Sequence, residues 1–526
     1  MTNSFRELED ADCILAFGSN TTVAHPVASG HLFRAREKGG RLVVIDPRKT
    51  QIAHQADLYL PVKPGSDVAL INGILHVIHR NGWHDEAFIE ERTENLEELL
   101  EIIGRYPPQR AAAICEVPQE AIEQAAEWYA RADKGSIVYV LGITQHSHGV
   151  DNVKSLANLA MFCGQIGRPS TGVNPFRGQN NVQGACDMGV LPNVLPGYQK
   201  VTDPQVVDTF ERGWDARLSN KPGMTQVEQI EALLDGRLKG LVVFGANPLV
   251  SYPDVQTVHK AYEAAEFILS IDIFPTPSTE LSDVVLPGAS FAETDGTFTG
   301  SERRVQRLRR AIPPLGGKTN WEILQELTQR FERPLHYRSA EEIFDEMASL
   351  TPYYQGMSYP RLDPEGLCWP CPDPQHPGTQ YLHKDRFVRG KGRFHGIEYR
   401  GAAEVPDEAF PFWLITGTMF NHYLTGTMTR RCPRLNTENA EAIVEMSPKD
   451  AEKLGIAQGD KIRASTRRGE ITVKAILTDD MSPGCVFIPL HFLEQPANRL
   501  TNPALDPESK TPEYKACAVK LALCPH

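Results

Sequence analysis

Several absences narrow what this sequence can be. In 526 residues there is no run of about 18 apolar residues, the length that carries a helix across a bilayer, so no membrane-inserted helix is expected. The first residues, Met1 to Cys13, are polar, and no secretory leader is read in them. Positive charge is short: 54 basic against 67 acidic side chains leave a net charge of −13, which argues against a nucleic-acid or membrane-surface binder. Cysteine is not clustered. The ten thiols are spread from Cys13 to Cys524, unlike the dense framework of a small secreted domain, and a reducing, cytoplasmic setting is the simpler expectation. Only Cys368-Trp369-Pro370-Cys371 has metal-like spacing, and one C-x-x-C supplies half of a tetrahedral site, so it is read as structural.

What is present is a globular composition, 41% hydrophobic and 23% charged, in a chain long enough for about two to four domains. Ile14 to Phe17 reads as a buried strand ending in Gly18-Ser19-Asn20. A helix follows from about Thr22 to Lys38, then a second strand, Leu42 to Ile45, ending at Asp46-Pro47-Arg48. In such a βαβ unit the glycine lets the chain turn close to a ligand, and the helix start offers N–H groups to it. The pattern recurs: Leu241 to Phe244 runs into Gly245-Ala246-Asn247-Pro248, a helix spans about Asp254 to Ala265, and Phe267 to Ile271 ends at Asp272. Phe-Gly-x-Asn thus occurs twice, with an aspartate 28 residues after Gly18 and 27 after Gly245. One copy alone reads equally well as a turn. Two similar crevices point to two similar nucleotides, and since neither contains the full G-x-G-x-x-G, an ordinary NAD or FAD site is not expected.

Between the two units lies Gly172-Val173-Asn174-Pro175-Phe176-Arg177-Gly178-Gln179-Asn180-Asn181-Val182-Gln183-Gly184-Ala185-Cys186-Asp187-Met188-Gly189. Closely spaced glycines, amides and one arginine, without apolar periodicity, predict an ordered loop rather than a helix or strand. Such a backbone packs closely on a polar ligand and offers one fixed cation to an anion. The segment closely resembles the signature of formate dehydrogenase catalytic subunits in the molybdopterin oxidoreductase, or dimethyl-sulfoxide-reductase-like, superfamily. The likeness extends to Met1-Thr2-Asn3-Ser4, Asp46-Pro47-Arg48, Gly65-Ser66-Asp67, Gly142-Ile143-Thr144-Gln145-His146 and Thr511-Pro512-Glu513-Tyr514-Lys515.

The resemblance implies molybdenum or tungsten held by two molybdopterin guanine dinucleotides, and oxidation of formate to carbon dioxide or the reverse. It places Arg177 on formate's carboxylate beside the metal, a task that suits a planar, permanently charged donor fork. By the same resemblance Gly18, Asn20, Asp46, Arg48, Gly65 and Asp67 contact one dinucleotide, and Gly245, Asn247, Asp272, Ser290 and Asn320 the other. Gln179 lies near the metal end of the pterins, and His422, Asn498, Asn502, Tyr514 and Lys515 belong to segments that close over the cofactor. Two positions depart from the pattern. Thr418 stands where many relatives have arginine, and Asn320 where aspartate is frequent, which removes a charge while leaving a hydrogen-bond acceptor. No protein metal ligand is assigned. The four-cysteine motif for a 4Fe–4S cluster, and the selenocysteine or cysteine that binds the metal, are expected on a segment upstream of Met1, together with any export signal. An electron-transfer subunit or that segment is the expected partner.

Strand and helix alternation over residues 1–179 predicts a doubly wound α/β domain. Residues 180–385 are expected to form a second one with a mixed helical connecting region, and 386–526 a β-rich barrel with strands at Phe412 to Ile415, Lys461 to Ala464, Ile471 to Val473 and Val486 to Ile488. Two other functions compete: a cofactor-binding module without turnover of its own, and a related molybdopterin reductase acting on an oxyanion such as nitrate.

Overall fold

The computed structural model describes residues 1–363 and 365–524. They fall into two compact units, one of residues 1–176, 250–256 and Tyr381 onward, the other of residues 177–249 and 257–380.

In the first unit β1 (Cys13–Phe17), β2 (Arg41–Ile45), β3 (Leu58–Leu60), β4 (Gly135–Tyr139) and β5 (Gly172–Pro175) form a parallel sheet in the order β3-β2-β1-β4-β5. The alternation of side chains sorts the strands onto two cores. Leu15, Phe17, Val43 and Ile45 pack with Leu70, Ile71, Ile74, Leu156 and Leu159 of the helices Asp67–Arg80 and Gly149–Phe162. Ile14, Ala16, Leu42 and Val44 pack with Ala28, Leu32 and Ala35 of Pro26–Glu37. A sheet covered on both faces needs apolar residues on both, which is why its strands read as unbroken apolar runs. Strand order runs outward from β1 to β3 and then returns to set β4 beside β1, leaving a crevice at the carboxyl ends of these two strands. The helix expected from Thr22 to Lys38 is in fact two, Thr21–Ala24 and Pro26–Glu37. His25 leaves the helical region at φ −142°, as the residue before a proline tends to, and Pro26 has no N–H with which to continue.

In the second unit β6 (Gly240–Phe244), β7 (Phe267–Asp272) and β8 (Val284–Pro287) form a smaller parallel sheet in the order β8-β7-β6. Beyond it, Gly296–Thr299, Arg304–Leu308 and Leu367–Cys368 pair antiparallel, and the helices Asn320–Thr328 and Ala340–Leu350 complete the region. The segment from Gly172 to Gly189 is more regular than its sequence predicts: it opens with edge strand β5 and contains the short helix Val182–Asp187. Partners far along the chain impose this order.

The C-terminal strands close into a six-stranded barrel, in the order 412–417, 485–489, 443–446, 470–477, 461–465 and 517–523, which removes exposed sheet edges. Ile471, Val473 and Ala475 point into its core and alternate with exposed or half-buried neighbours. The expected α/β class with a C-terminal barrel is therefore observed. Among the described residues no helix is long and apolar enough to cross a membrane.

Candidate active site

The first crevice is built by two glycines. Gly18 turns the chain at φ +51°, and a Cβ there would lie 2.7 Å from the backbone of Gly142; a Cβ on Gly142 would lie 2.5 Å from Gly18 Cα. Such contact is open only to residues without a side chain. Just beyond, Ser19 Oγ and Thr21 Oγ1 are buried with no hydrogen-bond partner. A buried hydroxyl left unsatisfied is costly, which fits a pocket made to take a polar ligand.

Around this turn the structure gathers most of the residues assigned to the first dinucleotide. Asp46, directly after β2, accepts a hydrogen bond from Arg48 N at 2.9 Å. Loss of hydration pushes its carboxyl up to about 6, although Arg48 and Lys515 pull the other way. Lys515 Nζ donates to Thr416 O at 2.6 Å, and desolvation pushes the ammonium down to about 8 despite the attraction of Asp46. Both shifts have one cause, a poorly hydrated place that disfavours either charge while the two attract each other. Arg48 pairs with Glu445 at 2.7 Å and lies 4.2 Å over the Phe487 ring. Asp67 follows Gly65, at φ +78°, and is buried at the start of its helix, where dehydration raises its pKa. Asn20 Oδ1 accepts from Thr22 Oγ1 at 3.2 Å.

The C-terminal residues of the assignment make hydrogen bonds within the protein. Asn498 Nδ2 donates to the carbonyls of Val250 and Ser251, both at 3.0 Å, and Tyr514 Oη donates to Ser251 O at 3.1 Å. Asn502 Nδ2 donates to Ala516 O at 2.9 Å. His422 has both ring nitrogens engaged, with Asn439 O at 2.7 Å and Thr429 Oγ1 at 3.3 Å. One strong determinant escaped sequence reasoning. Glu513, fully buried, accepts from Ser147 N at 3.1 Å, Ser147 Oγ at 2.9 Å and Ala403 N at 3.0 Å, and faces His146 Nδ1 at 3.9 Å. Burial alone would raise its pKa, but the nearby His146 imidazole and the hydrogen bonds from Ser147 hold it below the ordinary value. It ties the Ser147 segment to the stretch that leads into the last barrel strand, Cys517–Leu523. Its signal was its place inside Thr511-Pro512-Glu513-Tyr514-Lys515.

A cavity of about 780 Å³ lined by Thr22, Phe33, Arg36, His54 and Asp57 contains none of the sequence-predicted residues. Its Arg36 is paired with Asp57 at 3.2 Å and its His54 with Asp480 at 2.7 Å.

In the second unit the carboxyl edge of β6-β7-β8 brings together Gly245, Asn247, Asp272, Ser290 and Asn320. Gly245 turns at φ +57°, and no atom crowds the position a Cβ would take. Asn247 Oδ1 accepts from Ser278 Oγ at 2.8 Å, and Asp272 Oδ1 from Ile273 N at 2.7 Å. Asn320 binds Ala289 from both sides, accepting from its N at 2.7 Å and donating to its O at 3.0 Å. Asparagine can do both where aspartate cannot, so the departure at Asn320 has a structural use. Ser290 caps a short turn with Glu293 Oε2 at 2.7 Å. Arg177 and Gln179 lie elsewhere in the same unit, in the link between β5 and the helix Val182–Asp187. Arg177 N donates to Ser301 Oγ at 2.9 Å, and its Nη1 to Cys186 Sγ at 3.4 Å.

Two family profiles match: Molybdopterin oxidoreductase over residues 1–330, and Molydopterin dinucleotide binding domain over residues 412–518. The chain belongs to the molybdopterin oxidoreductase family. Its molybdopterin-binding character and oxidoreductase class follow from that membership. Among members, the F420-dependent formate dehydrogenase subunit alpha of Methanocaldococcus jannaschii is 48% identical over 99% of this chain and 78% of its own length. Formate dehydrogenase H of Escherichia coli is 35% identical over 99% of this chain and 74% of its own length. Acetylene hydratase from Pelobacter acetylenicus matches in structure with a TM-score of 0.76 over 99% of this chain and 79% of that one; at 19% identity this speaks for the fold. Among the described residues no group of three or more histidine, cysteine or acidic side chains could hold a metal ion, and Cys368 and Cys371 are buried and not joined in a disulfide.

Proposed function

We propose that this chain is the catalytic part of a formate dehydrogenase, oxidising formate to carbon dioxide or running the reverse. The observation that carries the reading is Arg177 within the Gly172 to Gly189 segment, in a chain aligned over almost its whole length with alpha subunits whose names specify formate. Two molybdopterin guanine dinucleotides carrying molybdenum or tungsten fit the residues present. The backbone cradle of Gly18 and Gly142, with the buried hydroxyls of Ser19 and Thr21, accommodates a polar ligand in the first unit. Asn20, Asp46, Arg48, Asp67 and Lys515 would hold that dinucleotide, and Gly245, Asn247, Asp272, Ser290 and Asn320 the other.

A bound metal–pterin group would supply the two-electron acceptor needed as formate loses two electrons and one proton to become carbon dioxide. The protein's part is binding and orientation. Arg177 holds the carboxylate with paired N–H donors, a planar fork that matches the two oxygens of the formate anion. Gln179, two residues on, supplies amide hydrogen bonds beside it. The electrons leave to a redox partner or to a cluster-bearing segment. Ten free cysteines support a reducing, cytoplasmic setting, and the division at about residues 179 and 385 into two dinucleotide-binding domains and a barrel domain is part of the proposal.

Protein expressed from its complete native gene is expected to carry pterin nucleotide and to reduce a viologen dye with formate. In Arg177→Lys, kcat/KM for formate falls about a hundredfold or more, because a point charge replaces the bidentate fork. Bound cofactor with turnover of nitrate and none of formate would assign the chain to the oxyanion reductases instead.

A further inference from the structure

We infer that Asp187 is a positioning residue for Arg177, acting through the helix that follows the arginine; this rests on the formate reading above. Asp187 ends Val182–Asp187 and is 1% exposed. Its Oδ2 accepts from Tyr354 Oη at 2.5 Å and from Trp369 Nε1 at 2.9 Å, and its Oδ1 from Gln183 Nε2 at 2.8 Å. Gln183 also donates to Tyr198 Oη at 2.8 Å. Burial raises the Asp187 pKa, and the hydrogen bonds of Tyr354, Gln183, Tyr198 and Trp369 oppose that rise. A buried carboxylate surrounded by uncharged donors is an expensive object. Ordinary packing would have used an apolar residue, as Phe344, Met347 and Tyr359 do around Tyr354.

The carboxylate fixes the helix in register with two distant segments. Tyr354 is fully buried. Trp369 is stacked on Tyr353 at 5.7 Å and lies under the buried Arg303 guanidinium at 5.6 Å, whose Nη1 also donates to Thr379 O at 3.0 Å. This accounts for Cys368-Trp369-Pro370-Cys371: the indole between the two buried cysteines, not their thiols, faces a functional neighbour. Cys186, the residue before Asp187, presents its Sγ to Arg177 Nη1 at 3.4 Å. Upstream, Arg177 N is held by Ser301 Oγ at 2.9 Å and Asn181 Oδ1 accepts from Thr299 N at 2.9 Å. Thiol sulfur is a weak acceptor, so it guides the guanidinium without neutralising it. The direction of Arg177 therefore depends on where Asp187 holds the helix.

Asp187→Asn tests this, since every partner is a donor and one must then meet an amide NH2. Formate kinetics and cofactor content are measured on full-length holoenzyme. KM for formate rises roughly tenfold while kcat changes less than about threefold and cofactor content stays level, the signature of weakened binding rather than lost chemistry. Tyr354→Phe and Trp369→Phe, which each remove a single donor from an intact carboxylate, give smaller rises in KM that do not add to that of Asp187→Asn. These two carry the test if Asp187→Asn fails to fold. An unchanged KM in them, or a fall in kcat or cofactor content alone, overturns the inference. Arg177→Lys is assayed in parallel. If it leaves formate KM and kcat unchanged, the substrate reading has failed; if it weakens formate binding while the Asp187 set does not, only the positioning role has.

Discussion

At the scale of single residues the first pocket stores charge at a cost. Asp46 has a folded-state pKa of about 6 against an ordinary 3.8, so its ionised form is disfavoured in the fold. The native state binds the extra proton between these values, and stability contributed by Asp46 falls as pH rises from about 4 to 6. Asp46→Asn is therefore expected to stabilise the cofactor-free protein by up to about 3 kcal/mol at pH 7, the opposing pull of Lys515 and Arg48 being already contained in the raised value. The gain should shrink towards zero near pH 4. Urea denaturation at both pH values checks this, and a loss of stability at pH 7 would show that the ion pair outweighs dehydration. The same variant should lose pterin nucleotide, since a residue kept at an energetic cost is kept for a ligand. Asp46 was legible from its place at a strand end. Glu513 and Asp187 were not, because their importance comes from partners more than a hundred residues away, and the unsatisfied Ser19 hydroxyl was not, because only the fold buries it.

At the scale of elements, the two crevices share a sequence pattern but not a packing environment. Gly18 and Gly245 both sit at positive φ after the first strand of a βαβ unit, which the repeated Phe-Gly-x-Asn already conveyed. The structure separates them: Gly18 is pressed against Gly142, whereas the space around Gly245 is open. Gly18→Ala meets backbone that cannot move aside, and is expected to cost about 3 kcal/mol or more, adding collision to left-handed strain. Gly245→Ala bears the strain alone, about 1 kcal/mol. Chemical denaturation of the two variants compares them directly, and equal losses would mean that the Gly18 loop yields. Strands β1, β2, β6 and β7 and the barrel were readable because a buried strand is an apolar run bounded by glycine and aspartate. The helix Val182–Asp187 was not, since its six residues carry no amphipathic stripe and it is held by a carboxylate rather than by an apolar face.

For the whole molecule, acid is expected to act unequally on the two units. His79, His148, His395 and His491 all have lowered pKa values, chiefly through burial, and all four lie in the unit that holds the first sheet and the barrel. His491 shows the cause in its bonds. Its Nε2 accepts from Met419 N at 2.8 Å while Nδ1 faces Leu424 O, so a second proton would break the first contact. His148 is stacked on His146 at 5.4 Å, and neither of its buried ring nitrogens has a hydrogen-bond partner. For His148 and His491 the folded pKa is about 4 against an ordinary 6.5. The unfolded chain binds their protons first, so their stabilising effect is complete above pH 6.5 and lost as pH falls towards 4. Each accounts for up to about 3 kcal/mol, of which protonation of Asp46 returns a similar amount once, leaving a net loss of about 3 kcal/mol. Limited proteolysis of the cofactor-free protein at pH 5 should therefore cut within residues 1–176 and beyond 381 before it cuts within 177–249 or 257–380. His491→Gln, which keeps an acceptor for Met419 but does not titrate, should lower stability at pH 7 yet flatten its slope between pH 6.5 and 4. First cuts in residues 257–380, or an unaltered slope in that variant, would place the acid-sensitive groups elsewhere.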